Sequence, residues 1–203
     1  MSMKRLLMLA SALVLSSLAA LTASAGGDKL LSSWKDPSTK KLSFQHVVAV
    51  AITDNGPVRR AAENEMVYII GPKAIPSSQV IPDSEIQDAD KVKAQLESGG
   101  FDGAITMRLV DATTKVKTAR DPVPTAYYQI WGYYRFAWVA DRPPDYLTAE
   151  QKLQIEVNIY SLPSGKLLWT GTSETMRPHL VETAVDDVAK LVKKRLKRER
   201  LID

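Results

Sequence analysis

Residues 44–53 fix most of what this chain can become, because Val47, Val48, Ala49, Val50, Ala51 and Ile52 follow one another without a polar break. Successive side chains of a strand point to opposite faces, so a run apolar at every position needs cover on both. The chain must therefore build a sheet with helices on either side of it. The first helix follows at once. Asp54-Asn55-Gly56-Pro57 is a turn, and Pro57 suits a first helical position, where a missing N–H costs nothing. Val58, Ala62, Met66, Ile69 and Ile70 then recur at helical spacing until Gly71-Pro72 ends the pattern.

The rest of the chain repeats this logic with variations. Residues 74–81 read as a short strand weakened by Pro76, and residues 84–98 as a second helix. In that helix Ser84 and Gln87 have capping-box spacing, Ile86, Ala89, Val92 and Leu96 form the stripe, and Gly99-Gly100 is the stop. Ile105, Met107 and Leu109 alternate along residues 104–110. Residues 154–160 alternate more cleanly: Ile155, Val157 and Ile159 are expected to point inward, and Gln154, Glu156 and Asn158 to face water. Pro163-Ser164-Gly165 turns that strand into residues 166–172, a hairpin. A long helix over residues 178–201 closes the chain, while residues 26–43 read as irregular. The expected fold class is α/β (α+β). Its mixed sheet has a βαβα first half and an antiparallel hairpin in the second, with helices packed on the sheet.

The N-terminus has a different character. Lys4 and Arg5 precede an apolar run over residues 6–21, and Ala23-Ser24-Ala25 places small residues where a signal peptidase accepts them, with Gly26 next. Residues 1–25 are therefore expected to be a secretory signal and residues 26–203 a single domain of a size that buries a substantial core. The alternative is an uncleaved anchor, since residues 6–25 are just long enough for a bilayer core of ~30 Å. No cysteine occurs, which excludes a disulfide framework, a thiol nucleophile, a Cys-ligated metal and the lipid-modified cysteine of bacterial lipoproteins. The formal net charge is only +4, but the cations gather at the C-terminal end.

Catalytic patterns are missing. His46 lies in the apolar strand and His179 just before the last helix, with no metal-ligand spacing around either. There is no nucleophile elbow, zinc-binding helix or phosphate loop, and Gly71-Pro72-Lys73 lacks the glycine run that cradles phosphate. Asp141 and Asp145 flank Arg142-Pro143-Pro144, a pattern read as a stiff surface loop. No enzyme, cofactor or metal is expected.

Two constellations are less ordinary. Tyr127, Tyr128, Trp131, Tyr133, Tyr134, Phe136 and Trp138 fall close together. Read as a strand, this segment sets Tyr134, Phe136 and Trp138 on one face and Tyr133 with Arg135 on the other. Phe136 and Trp138 are expected in the core. Tyr127, Tyr128, Trp131 and Tyr133 are either core as well or an exposed contact for a glycan or protein partner. In the last helix, Val181, Val185, Val188, Val192 and Leu196 make the core stripe. Lys190, Lys193, Lys194, Lys197, Arg198 and Arg200 occupy the other arc, with Glu182, Asp186 and Asp187 near its start. That order complements the helix dipole. It also offers Lys193, Lys194, Lys197 and Arg198 to an anionic surface. Nucleic acid fits poorly with so balanced a remainder.

Several of these segments together resemble a known pattern. They are Ser33-Trp34-Lys35-Asp36-Pro37, the strand at residues 47–52, Glu63 in the first helix and Gly100-Phe101-Asp102-Gly103-Ala104-Ile105. The strand at residues 155–160 and Ser164-Gly165-Lys166-Leu167-Leu168-Trp169-Thr170-Gly171 complete the set. The chain resembles a family of bacterial envelope domains of unknown function, many of them lipoproteins. More distantly it is similar to the α/β accessory domains of the TolB amino-terminal and curli-secretion lipoprotein type. The resemblance implies a non-enzymatic periplasmic accessory or scaffold protein that binds an envelope protein or an anionic membrane or glycan surface. Where lipoprotein members carry cysteine, Ala25-Gly26-Gly27 stands instead, which favours an unanchored periplasmic form. The competing expectation is a small-ligand or glycan-binding module built on residues 127–138.

Overall fold

A computed structural model describes residues 29–111, 125–139, 152–176 and 181–203. The expected signal with its candidate cleavage residues Ala23, Ala25 and Gly26, the pair Asp141 and Asp145, and His179 lie outside these. In chain order the elements are β1 (Lys29–Lys35), β2 (Val47–Ile52), α1 (Gly56–Ile70), β3 (Ala74–Pro76), α2 (Ala89–Ser98), β4 (Gly103–Asp111), α3 (Ile130–Val139), β5 (Lys152–Ser161), β6 (Leu167–Met176) and α4 (Val181–Arg198). The strands form one sheet in the order β1-β6-β5-β4-β2-β3. β2 runs parallel to both β3 and β4, and the remaining pairs are antiparallel. The mixed α/β sheet expected from the sequence is the one observed.

The apolar run of β2 is buried throughout, as its composition requires. Val47, Ala49 and Ala51 pack under α1 and α4, whereas Val48, Val50 and Ile52 pack under α2 and α3. The molecule is thus a sheet between two helical layers. α1 begins where the turn predicts: Asn55 Oδ1 accepts from the Val58 N–H at 3.1 Å, and Gly71, at φ +97°, takes the backbone conformation that ends the helix. In α4, Val185, Val188, Val192 and Leu196 are buried against the first face, so the expected stripe is realised from Val185 onward. Trp169 of the hairpin is fully buried beside them, and Gly165 closes the hairpin turn at φ +68°.

Four local expectations change. α2 starts at Ala89 and not at residue 84, because Asp88 takes the capping role and accepts from the Asp90 and Lys91 N–H groups at 3.1 and 3.2 Å. The strand expected over residues 74–81 stops at Pro76 and passes into a single 3-10 turn, Ser77–Gln79. Part of the irregular N-terminal stretch is β1, an edge strand that owes its shape to pairing with β6 and not to any alternation of its own. The largest change concerns β5. Ile155, Val157 and Ile159 point inward as expected, but Gln154, Glu156 and Asn158 are also buried, at 7, 4 and 0 % exposure. They meet a polar interior: Asn158 Nδ2 donates to Glu156 Oε1 at 3.0 Å, and Arg108 lies 3.9 Å from the same oxygen.

β1 is tied to the hairpin turn through Asp36. Its carboxylate pairs with Lys166 and accepts from the Ser38 N–H at 2.7 Å and the Ser38 hydroxyl at 2.5 Å. Lys166 first, and then Ser38, hold the carboxyl down at about 2, against an ordinary 3.8. A depressed folded-state value contributes stability that is complete above the unfolded value and is lost as pH falls through the folded one. Stability is therefore expected to decline between about pH 4 and pH 2 partly through this group. Acid unfolding of Asp36→Asn checks this: the variant should be less stable at pH 6 and show a shallower decline.

Candidate functional site

The aromatic segment is a helix, not a strand, and this reverses several assignments. Ile130, Tyr133, Tyr134, Ala137 and Trp138 form its buried stripe, at spacings that suit 3.6 residues per turn. Tyr127, in the 3-10 turn Thr125–Tyr128, and Tyr133 are buried at 3 and 0 % exposure. Their rings pack edge-on at 5.0 Å, so neither presents a surface to a partner. Phe136, expected in the core, is 41 % exposed, because it lies on the flank of the helix beside the buried stripe, with the Arg108 guanidinium 5.5 Å from its ring centre. Trp138 is buried as expected. Of the four contact candidates only Tyr128 is exposed, with Trp131 half-buried. Tyr128 meets Trp34 of β1 at 5.8 Å and 82°, an edge contact that gives no shared flat face for a sugar ring.

Beside this apolar stripe, β4 and β5 turn a polar layer of Arg108, Glu156 and Asn158 toward the helix. Arg108 Nη2 donates to the Tyr127 hydroxyl at 3.1 Å, and burial, with Glu156 nearby, pushes the Tyr133 phenol well above its usual value. This layer is closed to solvent at Arg108, Glu156 and Asn158. A second buried polar cluster joins α1 to the turn after β3. Glu63 Oε1 accepts from Arg59 Nε at 2.9 Å and from the Ser77 hydroxyl at 2.5 Å, while Oε2 accepts from the Ser78 N–H at 2.8 Å. Arg59 also reaches Asp83 and the Ile81 carbonyl. Every bond is internal to the fold, so the cluster fixes α1 on the sheet.

The basic end of α4 is the feature that faces outward. Lys194, Lys197 and Arg198 are exposed, and Lys193 is half-buried. Lys193 Nζ donates to the Tyr68 carbonyl at 2.7 Å and stands 3.6 Å from the centre of the exposed Tyr68 ring. Tyr68 lies in the last turn of α1, so this lysine caps a helix C-terminus, as dipole electrostatics favour. Lys190 instead pairs with Asp186 at 2.6 Å along its own helix. Beside Lys193 and Lys197 lies a groove of about 380 Å³. Its rim is completed by Lys41 and Lys73, and its apolar lining includes Leu42, Phe44, Ile70 and Ile202.

Lys41 and Lys73 were not among the sequence candidates, since both lie far in sequence from the basic end of α4. The parallel register brings Lys73 there: it immediately precedes Ala74, the partner of Val47, and its carbonyl accepts from the Val47 N–H at 2.9 Å. Its ammonium donates to the Phe44 carbonyl at 2.8 Å. Lys41 pairs with Asp203 at 2.6 Å. The four lysines therefore come from three places in the chain, and tertiary contacts that sequence patterning does not specify assemble them. Two other clefts are of a different kind: one of about 480 Å³, lined by Arg60, Asn64, Asp83 and neighbours, is polar, and one of about 570 Å³ lies over the segment after β1.

No family model matches the chain, and no curated protein matches it. It is similar in outline to two solved structures. One is a PelC dodecamer from Paraburkholderia phytofirmans, 9 % identical, with a TM-score of 0.46 over 87 % of this chain and 99 % of that one. The other is a point variant of that dodecamer, 8 % identical, with a TM-score of 0.42 over 80 % of this chain and 96 % of that one. Superpositions this loose, at identities this low, carry no argument about function. Both are PelC structures and neither is of the TolB amino-terminal or curli-secretion type that the sequence motifs resemble.

His46 stacks on Phe101 at 4.0 Å and 17°, a packing role at the end of β2. Among the described residues no group of three His, Asp or Glu is placed to hold a metal ion, and no helix is long and apolar enough to cross a membrane.

Proposed function

We propose that this chain is an exported, non-enzymatic accessory or scaffold protein of the bacterial cell envelope that binds an acidic envelope component through the basic end of α4. The observation that supports this most directly is the gathering of Lys41, Lys73, Lys193 and Lys197 around one groove, with Lys194 and Arg198 nearby on the same helix. Only one carboxylate, that of Asp203, lines the groove against the four ammonium groups. The signal-like N-terminus supports export to the periplasm, and the absence of cysteine supports a form without a lipid anchor. Burial of Tyr127, Tyr133, Tyr134 and Trp138 leaves the glycan-stacking alternative with Tyr128, Phe136 and the half-buried Trp131.

The test is expression in a Gram-negative cell, followed by intact mass, fractionation and crosslinking. The expected product is a periplasmic species beginning at Gly26 that associates with the envelope fraction. Each cation near an anionic surface contributes on the order of 1 kcal/mol, so changing Lys194, Lys197 and Arg198 together to Gln should weaken that association by about tenfold or more. A cytoplasmic full-length product, or association unchanged in the triple variant, overturns the reading.

A further inference from the structure

The groove beside α4 is chemically two-sided, and its two sides ask for different things. The lining around Leu42, Phe44, Ile70 and Ile202 is apolar and only partly buried, which is a surface with something left to cover. The rim is made of ammonium groups, which act as compact point charges and not as the planar forks that recognise carboxylates in pairs. A volume of about 380 Å³ lies within the size range of small-ligand sites. We propose that this groove seats an acyl chain of an anionic phospholipid, with Lys41, Lys73, Lys193 and Lys197 around its phosphate.

Helix-end electrostatics alone accounts for part of the rim and not for all of it. Lys193 is explained by the Tyr68 carbonyl and Lys41 by Asp203. Lys73 spends one of its three donors on the Phe44 carbonyl, a neutral acceptor, so its charge faces no carboxylate there. Lys197 adds a further charge on the same groove wall. A neutral glycan would need hydrogen-bonding groups on the floor, where this groove offers hydrocarbon. An acidic peptide satisfies the rim but leaves the floor to whatever side chains it happens to carry. A lipid with an anionic head satisfies both with one molecule. The exposed Tyr68 ring beside Lys193 is the kind of amphipathic group that settles at a membrane–water boundary.

This inference rests on reading the basic end of α4 as the contact surface, and its test separates the two. The exported chain is mixed with vesicles of phosphatidylcholine, with or without one-third phosphatidylglycerol, and binding is read by co-flotation. Ile70→Trp, with Ile202→Trp as a second reporter should the first not fold, places an indole in the floor. Its fluorescence is read against the parent chain's own tryptophans. The expected result is binding only to anionic vesicles, at least about tenfold weaker for Lys73→Gln with Lys197→Gln, and quenching of the reporter by brominated acyl chains. Binding without quenching means head-group attraction only and overturns the proposal. Competition by glycerol phosphate as effective as by the vesicles means a soluble-phosphate site and also overturns it. Absence of vesicle binding, while envelope association persists and still depends on Lys194, Lys197 and Arg198, overturns the lipid but leaves the accessory-protein reading intact.

Discussion

Replacing Glu63 with alanine should cost about 3–5 kcal/mol of folding stability, because it strands a buried guanidinium. Arg59 and Glu63 lie one turn apart in α1 with almost no solvent exposure at either side chain. The carboxylate is the centre of the cluster: it accepts from Arg59, from the Ser77 hydroxyl and from the Ser78 N–H. Without it Arg59 keeps Asp83, whose side chain is 64 % exposed, together with the Ser77 hydroxyl and the Ile81 carbonyl. Those partners stabilise a charge far less than a buried counter-ion does. Asp83→Asn should cost under about 1 kcal/mol, in line with solvent-screened pairs. Urea unfolding followed by circular dichroism measures both, and equal losses for the two variants would show that Glu63 is not the centre of the network. Changing Arg59 and Glu63 together to Met and Leu should recover part of the loss, since apolar pairs of similar volume replace buried ion pairs at little cost.

Trp169→Ala should be similarly costly, at about 3–5 kcal/mol, by opening a cavity in the first core layer. The indole is fully buried, and its Nε1 donates to Glu199 at 3.0 Å, joining β6 to the residue after α4. It also lies across Gly171, where an added Cβ would stand 2.3 Å from the ring. Gly171→Ala is therefore expected to cost about 1–3 kcal/mol as overpacking. The two effects share one cause, so they should not add. In a Trp169→Ala background the Gly171 change should be nearly silent, and a double-mutant cycle reads that coupling directly. Additive losses would mean that the backbone at Gly171, and not the ring, sets the limit.

These two clusters illustrate what the sequence disclosed and what it concealed. The hairpin that carries Trp169 was legible because it is a local unit, with the turn and both strands inside one short stretch. The run Val47–Ile52 and the valine stripe of α4 were legible for the same reason: a period needs only neighbours in sequence. The aromatic segment misled because Tyr, Phe and Trp carry strong β preference, which outweighed a helical spacing that Ile130, Tyr133, Tyr134, Ala137 and Trp138 do contain. A second expectation failed on the same face of the sheet. Gln154, Glu156 and Asn158 were assigned to water because they alternate with Ile155, Val157 and Ile159, whereas α3 covers that face of β5 and buries them. The lysine groove was out of reach for a different reason, since tertiary contacts bring its lysines together: the β2–β3 register for Lys73, the C-terminus for Lys41 and the Tyr68 carbonyl of α1 for Lys193.

The pairing of β1 has a consequence for the order in which the molecule is completed. Lys35 lies opposite Trp169 and Lys29 opposite Glu174, so the first strand waits for nearly the whole chain before it has a neighbour. Between Lys35 and Trp169 the separation is 134 residues (169 less 35). Contacts this distant in sequence form late and slowly. β1 therefore has no strand neighbour until the β5–β6 hairpin is in place. The β6 edge of the sheet is the last to be covered, and until β1 docks there its backbone N–H and C=O groups stand open to any other strand.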